Sequence, residues 1–425
     1  MKSDDGAVRH RALPRPLRPF RHRGYRLLVL SMAVSLLGSG VWLVAVVYQV
    51  IALGGGPSEL SAVATAFSAG LLSSILVGGV AADRLPKRAL MIGVEAVKTV
   101  GAGAVAVLGL TGALQLWQLA AISFVLGAAE AFFYPAYSAL LPQLLPADEL
   151  LAANGVEGAL RPVLQRALGP AVAGLLVGAL LPAAAVLLTT GTYLLAMLAL
   201  LRMPPVAVVP GDGSSPLRDL KEGFSYLLRT GWLFATLAFA TVYVLLVIGP
   251  IEVLLPFAVR DQAGGGPSEF ALVIAGYGVG GAVGSIAVAS MRLPRRYQTV
   301  MLLCWGAGAL PLAVIGVTDR IWLMVAASFV VGVTDAAAMV IWGTLLQRRV
   351  PTRLLGRVSS LDFFVSLAFM PVSMAVAGPV GEAVGIPLVF LVVGVVPVFL
   401  AVIALLAWRL PRDEIAHPLD APTGT

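Results

Sequence analysis

The chain has 425 residues, of which 59% are hydrophobic and only 12% are charged, and its formal net charge is +7. A water-soluble domain carries about 25% charged residues, so this composition excludes a soluble protein and requires a lipid environment. Lipid offers the backbone no hydrogen-bond partners, and the apolar runs do not alternate with period two. The chain is therefore predicted to cross the bilayer as helices rather than as a closed barrel.

The apolar runs predict twelve membrane-spanning helices, each long enough for the roughly 20 residues that a bilayer requires. In chain order they cover 28–53, 60–82, 89–112, 116–141, 150–176, 180–201, 232–258, 268–290, 298–317, 321–346, 357–382 and 386–409. Cys304 is the only cysteine, which excludes an internal disulfide and argues against a cysteine metal site.

Lysine and arginine fall almost entirely on one side of this twelve-helix arrangement, and the opposite side holds only Arg260 and Arg320. Because basic loops stay in the cytoplasm, both termini are predicted to be cytoplasmic, in a multi-pass protein of the inner cell membrane. The net positive charge then reflects topology and lipid contact, and it does not indicate a nucleic-acid partner.

Three segments of the first half of the chain recur in the second half. The turn GGGPSE occurs at Gly54–Glu59 and again at Gly264–Glu269, an offset of 264 − 54 = 210 residues. The segment SFVLGAAEA at Ser123–Ala131 is followed 205 residues later by SFVVGVTDA at Ser328–Ala336. A third match joins RLPKR at 84–88 to RLPRR at 292–296. In each GGGPSE copy, glycines permit a tight reversal, and Pro-Ser-Glu begins the next helix with an acid at its positive end.

The duplication predicts an all-α polytopic membrane protein made of two parallel-related six-helix bundles. A basic N-terminal arm covers 1–26 and the first bundle 27–201. A linker with a short amphipathic helix follows at 202–230, then the second bundle at 231–410 and a tail at 411–425. The arm, linker and tail are all predicted to be cytoplasmic.

The stretch GGVAADRLPKRALM resembles the signature of the major facilitator superfamily between helices two and three. The matching residues are Gly79, Asp83, Arg84, Lys87 and Arg88. Five further segments make the chain similar to the drug:proton antiporter branch that contains macrolide-efflux proteins and the enterobactin exporter. They are SLLGSGVWLVA, EAVK, EAFFYPAYSALLPQLLP, ELLAAN and LGPAVAG. The resemblance implies the major facilitator fold and a cytoplasmic gate at these five residues.

The sequence departs from the family pattern at two places. Helix four lacks the arginine that many efflux proteins carry there, so a proton relay built on that arginine is not assumed. The second copy of the loop has Met291 where the first has Asp83, so one half alone keeps the acidic gate residue.

Acids within the spans are candidates for proton coupling, because intramembrane carboxyls are rare and face water or a partner. Glu130 and Asp335 occupy matched positions of helices four and ten, which line the cavity in the family that the chain resembles. Glu252 in helix seven is a third candidate. Each has an alternative interpretation, as a structural ion pair or as simple exposure at the membrane interface.

Further charges are predicted to pair along single helices. Glu95 and Lys98 are spaced i, i+3, while Glu157 and Arg161 are spaced i, i+4, so each pair shares a helix face. These pairs are read as structural or gating contacts, and the repeat aligns Asp362 with Glu157.

Small and aromatic residues complete the candidate site. Gly169, Pro170 and Gly174 resemble an antiporter motif of helix five, where they permit close packing and a bend; the alternative is an ordinary bent helix. The aromatic residues that could line a substrate cavity, or serve only in packing, are Trp42, Tyr48, Tyr134 and Trp342.

The sequence excludes several other chemistries. None of its four lysines follows a glycine, so there is no ATP-binding P-loop, and its three histidines lie in the tails. We therefore expect no enzyme activity, cofactor or metal. The resemblance implies a monomeric secondary transporter that exports a hydrophobic or amphipathic small molecule, such as a drug, a macrolide-like antibiotic or a siderophore, in exchange for protons. An importer or facilitator of the same fold is one alternative, and a membrane enzyme or lipid-handling protein is another.

Overall fold

A computed structural model of the protein describes residues 15–205, 224–291 and 293–419. Every regular element in these ranges is helical, and eleven of the helices are long and apolar enough to cross a membrane. A further helix, Pro57–Arg84, has 28 residues and packs among them. The prediction of an all-helical, multi-pass membrane protein is confirmed.

The helices follow the predicted spans closely. The first six are α1 (Arg23–Ala52), α2 (Pro57–Arg84), α3 (Lys87–Leu110), α4 (Leu116–Leu144), α5 (Ala147–Arg161, continuing through the π-helical Pro162–Leu168 into Gly169–Ala179) and α6 (Pro182–Leu201). The later ones are α7 (Gly231–Gln262), α8 (Pro267–Ser290), α9 (Tyr297–Val317), α10 (Ile321–Arg349), α11 (Thr352–Ala368 and Met370–Val384), α12 (Ile386–Ala407) and α13 (Leu410–Ala416). The linker falls mostly outside the described residues, which resume with a helical stretch at 224–229.

The two GGGPSE turns have the same structure. Gly54 and Gly264 have φ angles of +79° and +63°, which favour glycine because an L side chain is strained there. The helices then begin at the prolines, and the carboxylates of Glu59 and Glu269 accept the backbone N–H of Gly56 and Gly266 at 2.7 and 2.8 Å. The repeat in sequence is therefore a repeat in backbone conformation and capping.

The same correspondence holds inside the bundle, where α2 packs on α4 and α8 packs on α10. A Cβ on Gly127 of α4 would strike the backbone carbonyl of Phe67 on α2. The matched glycine of α10, Gly332, stands in the same way against the carbonyl of Tyr277 on α8. These pairs are offset by 332 − 127 = 205 and 277 − 67 = 210 residues, the offsets of the two sequence repeats. Both helix pairs depend on glycine for their close approach.

Helices α1–α6 and α7–α12 form two sets that meet along α2 with α11 and along α5 with α8. The end of the molecule with the two GGGPSE turns is termed the turn face. The opposite end is termed the terminal face, because the described chain begins there at Arg15 and ends there at Leu419.

Short segments brace the terminal face on both sets. Before α1, Arg21 donates to Glu149 at the start of α5 at 2.6 Å, and this hydrogen bond lowers the pKa of the Glu149 carboxyl. After α12, the buried carboxylate of Glu414 accepts the backbone N–H of Gln298 and Thr299 at the start of α9. Each brace places a carboxylate at the positive end of a helix.

Substituting Gly127 by alanine tests the close packing of α2 on α4. The added methyl group forces the Phe67 carbonyl away, and overpacking of this kind costs about 1–3 kcal/mol. We expect a lower midpoint of thermal unfolding in detergent micelles. The matched control is Gly191→Ala, because a Cβ there meets nothing within 4 Å. Equal midpoints for the two variants would contradict the packing account.

Candidate functional site

A cavity of about 1450 Å³ lies between the two sets of helices. Toward the turn face it is bounded by residues such as Leu60 and Phe270, and it extends toward the terminal face as far as Gly79 and Glu157. Its walls are largely apolar, with six charged side chains, and the volume suits a drug-sized molecule. The charged residues of the wall are Lys98, Glu130, Glu157, Arg161, Arg166 and Glu252.

On the wall formed by α1–α6, Lys98 is the central charge. Its Nζ lies 3.1 Å from Glu130 on α4, 2.9 Å from the hydroxyl of Ser35 on α1, and 3.7 Å from Glu95 on its own helix. The ring of Tyr193 on α6 lies 4.4 Å from the ammonium nitrogen, in cation–π range. The closest ionic partner of Lys98 is therefore Glu130, on a neighbouring helix, rather than the i, i+3 residue Glu95.

An ion pair also connects the two sets of helices. Arg166 on α5 lies 3.0 Å from Glu252 on α7, and both residues line the cavity. Each sits in a π-helical segment, Pro162–Leu168 or Pro250–Leu254, and such segments are frequent at functional sites. The sequence interpretation did not identify Arg166. The sequence does contain a signal for Arg166, because a basic residue inside an apolar membrane span is expected to be functional.

Asp335, the residue that the repeat matches to Glu130, has a different environment. Its carboxylate accepts the hydroxyl of Tyr277 at 2.8 Å and the indole N–H of Trp305 at 3.2 Å. Among the described residues no basic side chain forms an ion pair with it. The guanidinium of Arg166 lies 5.8 Å from the Tyr277 ring, so Tyr277 stands between Asp335 and the Arg166–Glu252 pair.

Nearer the terminal face, Arg161 and Glu157 form the i, i+4 pair expected from their spacing, at 3.1 Å. Arg161 also lies 5.7 Å from the ring of Tyr134, which lines the cavity and is exposed to it. Asp362 accepts the indole N–H of Trp342 at 3.1 Å, and neither residue of this pair lines the cavity.

The two other aromatic candidates, Trp42 and Tyr48, lie in different environments. Trp42 lines the cavity, whereas Tyr48 is buried against Phe270 with ring centroids 6.2 Å apart. In the helix-five motif, Gly169 packs on the backbone of Gly40 in α1 and Gly174 packs on Ala271 of α8. Pro170 is buried in the first turn after the π-helical segment. The motif therefore supports close helix packing beside the cavity.

The predicted gate residues lie at the end of α2 and the start of α3, on the terminal face. Arg88 donates to the carbonyls of Leu200 and Leu201 at the end of α6, a favourable site for a cation. Lys87 is buried, Arg84 is exposed, and Gly79 lines the cavity. The side chain of Asp83 lies outside the described residues.

On the turn face the two sets of helices are in direct contact. Glu382, near the end of α11, accepts the backbone N–H of Ser58 at 3.0 Å and its hydroxyl at 2.5 Å. One turn along α2, the hydroxyl of Ser61 donates to the carbonyl of Met374. The carboxylate of one set thus caps the first turn of a helix in the other set. These contacts join the two sets of helices across the turn face.

The described residues contain no cluster of three or more potential metal ligands. The chain matches the family model described as "Transmembrane secretion effector" over residues 15–421.

The chain belongs to this family of major facilitator superfamily transporters.

Relatives and solved structures agree with this assignment. The transporter is 26% identical to multidrug efflux pump Tap of Mycolicibacterium fortuitum, over 93% of this chain and 98% of the relative. It is 24% identical to macrolide efflux protein A of Streptococcus pyogenes, over 88% and 93%. The crystal structure of the nucleoside transporter NupG has the same fold, with a TM-score of 0.73 and 13% identity over 91% of this chain and 99% of NupG. The protein is a transporter and not an enzyme.

Glu382→Ala tests the closure of the turn face. Loss of a helix cap costs about 0.5–2 kcal/mol, which shifts an opening equilibrium by roughly 2- to 30-fold. In a Cys304→Ser background, a cysteine placed at Val46 in the cavity should react faster, by that factor, with an impermeant maleimide applied from the turn face.

The repeat supplies the matched control. Ser268 corresponds to Ser58, but among the described residues the one hydrogen-bond acceptor of its hydroxyl is the Gly174 carbonyl, at 3.4 Å. Ser268→Ala should therefore change the labelling rate little. Labelling that is as slow in Glu382→Ala as in the background protein would contradict a role of Glu382 in closing the turn face.

Proposed function

We propose that this transporter exports a hydrophobic or amphipathic small molecule in exchange for protons, by alternating access across the inner cell membrane. The observation that carries the proposal is the cavity between the two sets of helices: it is large, mostly apolar and lined by ion pairs, and the two sets are in contact across the turn face. The printed names of the relatives, a multidrug efflux pump and a macrolide efflux protein, support export and this substrate class.

The terminal face is proposed to be cytoplasmic, because the basic residues of the loops and ends fall on that side. We propose that the cavity opens toward this face, so that the exporter collects its substrate from the cytoplasm. One chain encloses the whole cavity, which supports a monomer as the transporting unit.

Alternating access requires the contacts on the turn face to separate while the terminal face closes. The gate residues Gly79, Asp83, Arg84, Lys87 and Arg88 are proposed to form the second closure. Proton coupling is assigned to the carboxyls at or near the cavity, among which Glu130, Glu252 and Asp335 are the candidates from the sequence.

The energy of one proton is sufficient for such transport. Entry of one charge at a potential of about 150 mV provides roughly 3.5 kcal/mol. At 1.4 kcal/mol per tenfold ratio, that supports a gradient of a few hundred-fold for an uncharged substrate; a monovalent cation exchanged one for one moves no net charge, so its export uses the pH gradient alone, at tenfold per pH unit. ATP is not needed, in agreement with the missing P-loop.

Inverted membrane vesicles test both the activity and its direction. With an acid interior, vesicles containing the protein should accumulate ethidium, tetraphenylphosphonium or erythromycin, and each addition should release protons from the interior. Nigericin, which removes the pH gradient, should abolish the accumulation. Vesicles that carry Glu130→Gln should lose substrate-dependent proton release.

The alternatives give different results in the same assay. Entry that equilibrates without a pH gradient and never exceeds the outside concentration would identify a facilitator. Uptake in right-side-out vesicles driven by an inward proton gradient would identify an importer. Either outcome would overturn the exporter proposal.

A further inference from the structure

Two acidic side chains near the cavity share one cation. Glu95 and Glu130 each lie within ion-pair distance of the Lys98 Nζ, at 3.7 and 3.1 Å. The Glu130 side chain is 35% exposed to the cavity, the Lys98 side chain is 4% exposed, and Glu95 is fully buried behind it. If both acids were ionised, the cluster would carry a net charge of −1 inside the membrane.

The two oxygens of Glu95 differ in their contacts. Oε1 accepts the hydroxyl of Ser35 at 2.8 Å and is the atom nearest to Lys98. Oε2 is buried and has no hydrogen-bond partner among the described residues. An ionised carboxylate carries negative charge on both oxygens, and an unpartnered, buried charge is costly. In a protonated Glu95, Oε1 is the carbonyl oxygen that accepts the Ser35 hydroxyl and Oε2 carries the proton, so the unpartnered group is a neutral hydroxyl instead of a charged oxygen.

The contacts of Lys98 agree with a neutral Glu95. Its Nζ is closer to Glu130 than to Glu95 by 0.6 Å (3.7 − 3.1), although Glu95 lies on the same helix. The hydroxyl of Ser35 lies between Lys98 and Glu95, at 2.9 and 2.8 Å, so a small movement would bring the ammonium group to Glu95. Lys98 can therefore exchange one acid for the other without leaving the cluster.

We propose that Glu95 holds the exchanged proton while Lys98 pairs with Glu130, and that a cationic group of the substrate takes the place of Lys98 at Glu130. This inference rests on the proton-coupled export proposed above. It makes Glu130 the substrate contact, Glu95 the proton site, and Lys98 the positioning residue that links them.

The exchange balances charge. Before substrate binds, Glu95 is neutral, Lys98 is +1 and Glu130 is −1, so the cluster is neutral. A monovalent cation binds Glu130, Lys98 moves to Glu95, and the O–H bond of Glu95 breaks, with its proton passing to water in the cavity. Two carboxylates, one ammonium group and one substrate cation again sum to zero, and one proton has left for each cation bound.

The groups that face Glu95 come from four helices. They are Lys98 on α3, Ser35 on α1, Glu130 on α4 and, across the ammonium group, Tyr193 on α6. Lys98 is the one cation among them. Asp335, which the repeat matches to Glu130, has a hydrogen-bond donor on each oxygen, whereas one oxygen of Glu95 has no partner among the described residues.

Infrared spectroscopy of the purified, lipid-reconstituted protein tests the proton site without any substrate. The difference between wild type and Glu95→Gln should contain the carbonyl stretch of a protonated carboxyl group at neutral pH. The control is Thr99→Val, because the Thr99 hydroxyl bonds only the backbone carbonyl of Glu95 and its loss should leave the band in place. If Glu95→Gln removes no such band at neutral pH, Glu95 is not the proton site.

Transport then tests the exchange, with ethidium as a permanently charged probe in inverted vesicles. Glu95→Gln should lose accumulation driven by the pH gradient yet still exchange internal for external ethidium. Glu130→Gln should lose both. Equal coupling in Glu95→Gln and wild type would overturn the proposal. If wild-type vesicles accumulate none of the three probes, the exporter function fails instead, and the infrared comparison still decides the proton site.

Discussion

The hydrocarbon interior of a membrane provides no partner for a charge, and the cavity of this transporter is arranged around that constraint. Each of its six charged side chains is held by an opposite charge: Lys98 with Glu130, Arg161 with Glu157, and Arg166 with Glu252. In the proposed mechanism, a charged group of the substrate enters one of these pairs and frees a partner. Binding is thereby connected to rearrangement of the protein, which is the physical requirement for coupling transport to a second ion.

The two duplicated sets of helices share their turns and their helix packing, but they differ in the contacts of their charged side chains. The two GGGPSE turns, their glutamate caps and the glycine contacts of Gly127 and Gly332 are the same in both sets of helices. The contacts of the matched polar and acidic residues are different. Glu130 faces a lysine whereas Asp335 faces an indole and a phenol, and Ser58 meets a carboxylate where Ser268 meets only a carbonyl. One set therefore holds the lysine that is proposed to exchange partners, and at one of the two turns a carboxylate of the other set caps the helix.

The sequence was sufficient for the spans, the turns and the fold, because lipid imposes length and hydropathy on each helix separately. Pairing between helices was not readable, since it depends on how each helix is rotated. The spacing predicts that Glu95 and Lys98 pair, and they do at 3.7 Å, but it does not indicate that Glu130 on α4 lies closer to Lys98, at 3.1 Å. Arg166 was overlooked because its partner, Glu252, lies 86 residues away in the other set. Trp342, expected to be able to line the cavity, is buried with Asp362 instead.

The central claim is that the turn face and the terminal face open by turns. Distances between spin labels test it most directly, in the Cys304→Ser background, with one pair at Gly112 and Asp319 on the turn face and another at Leu85 and Gln347 on the terminal face. Across a pH titration with and without ethidium, the account predicts that the distance on the turn face lengthens in the same fraction of molecules in which the distance on the terminal face shortens. Two distances that change in the same direction, or that stay constant under every condition, would contradict it.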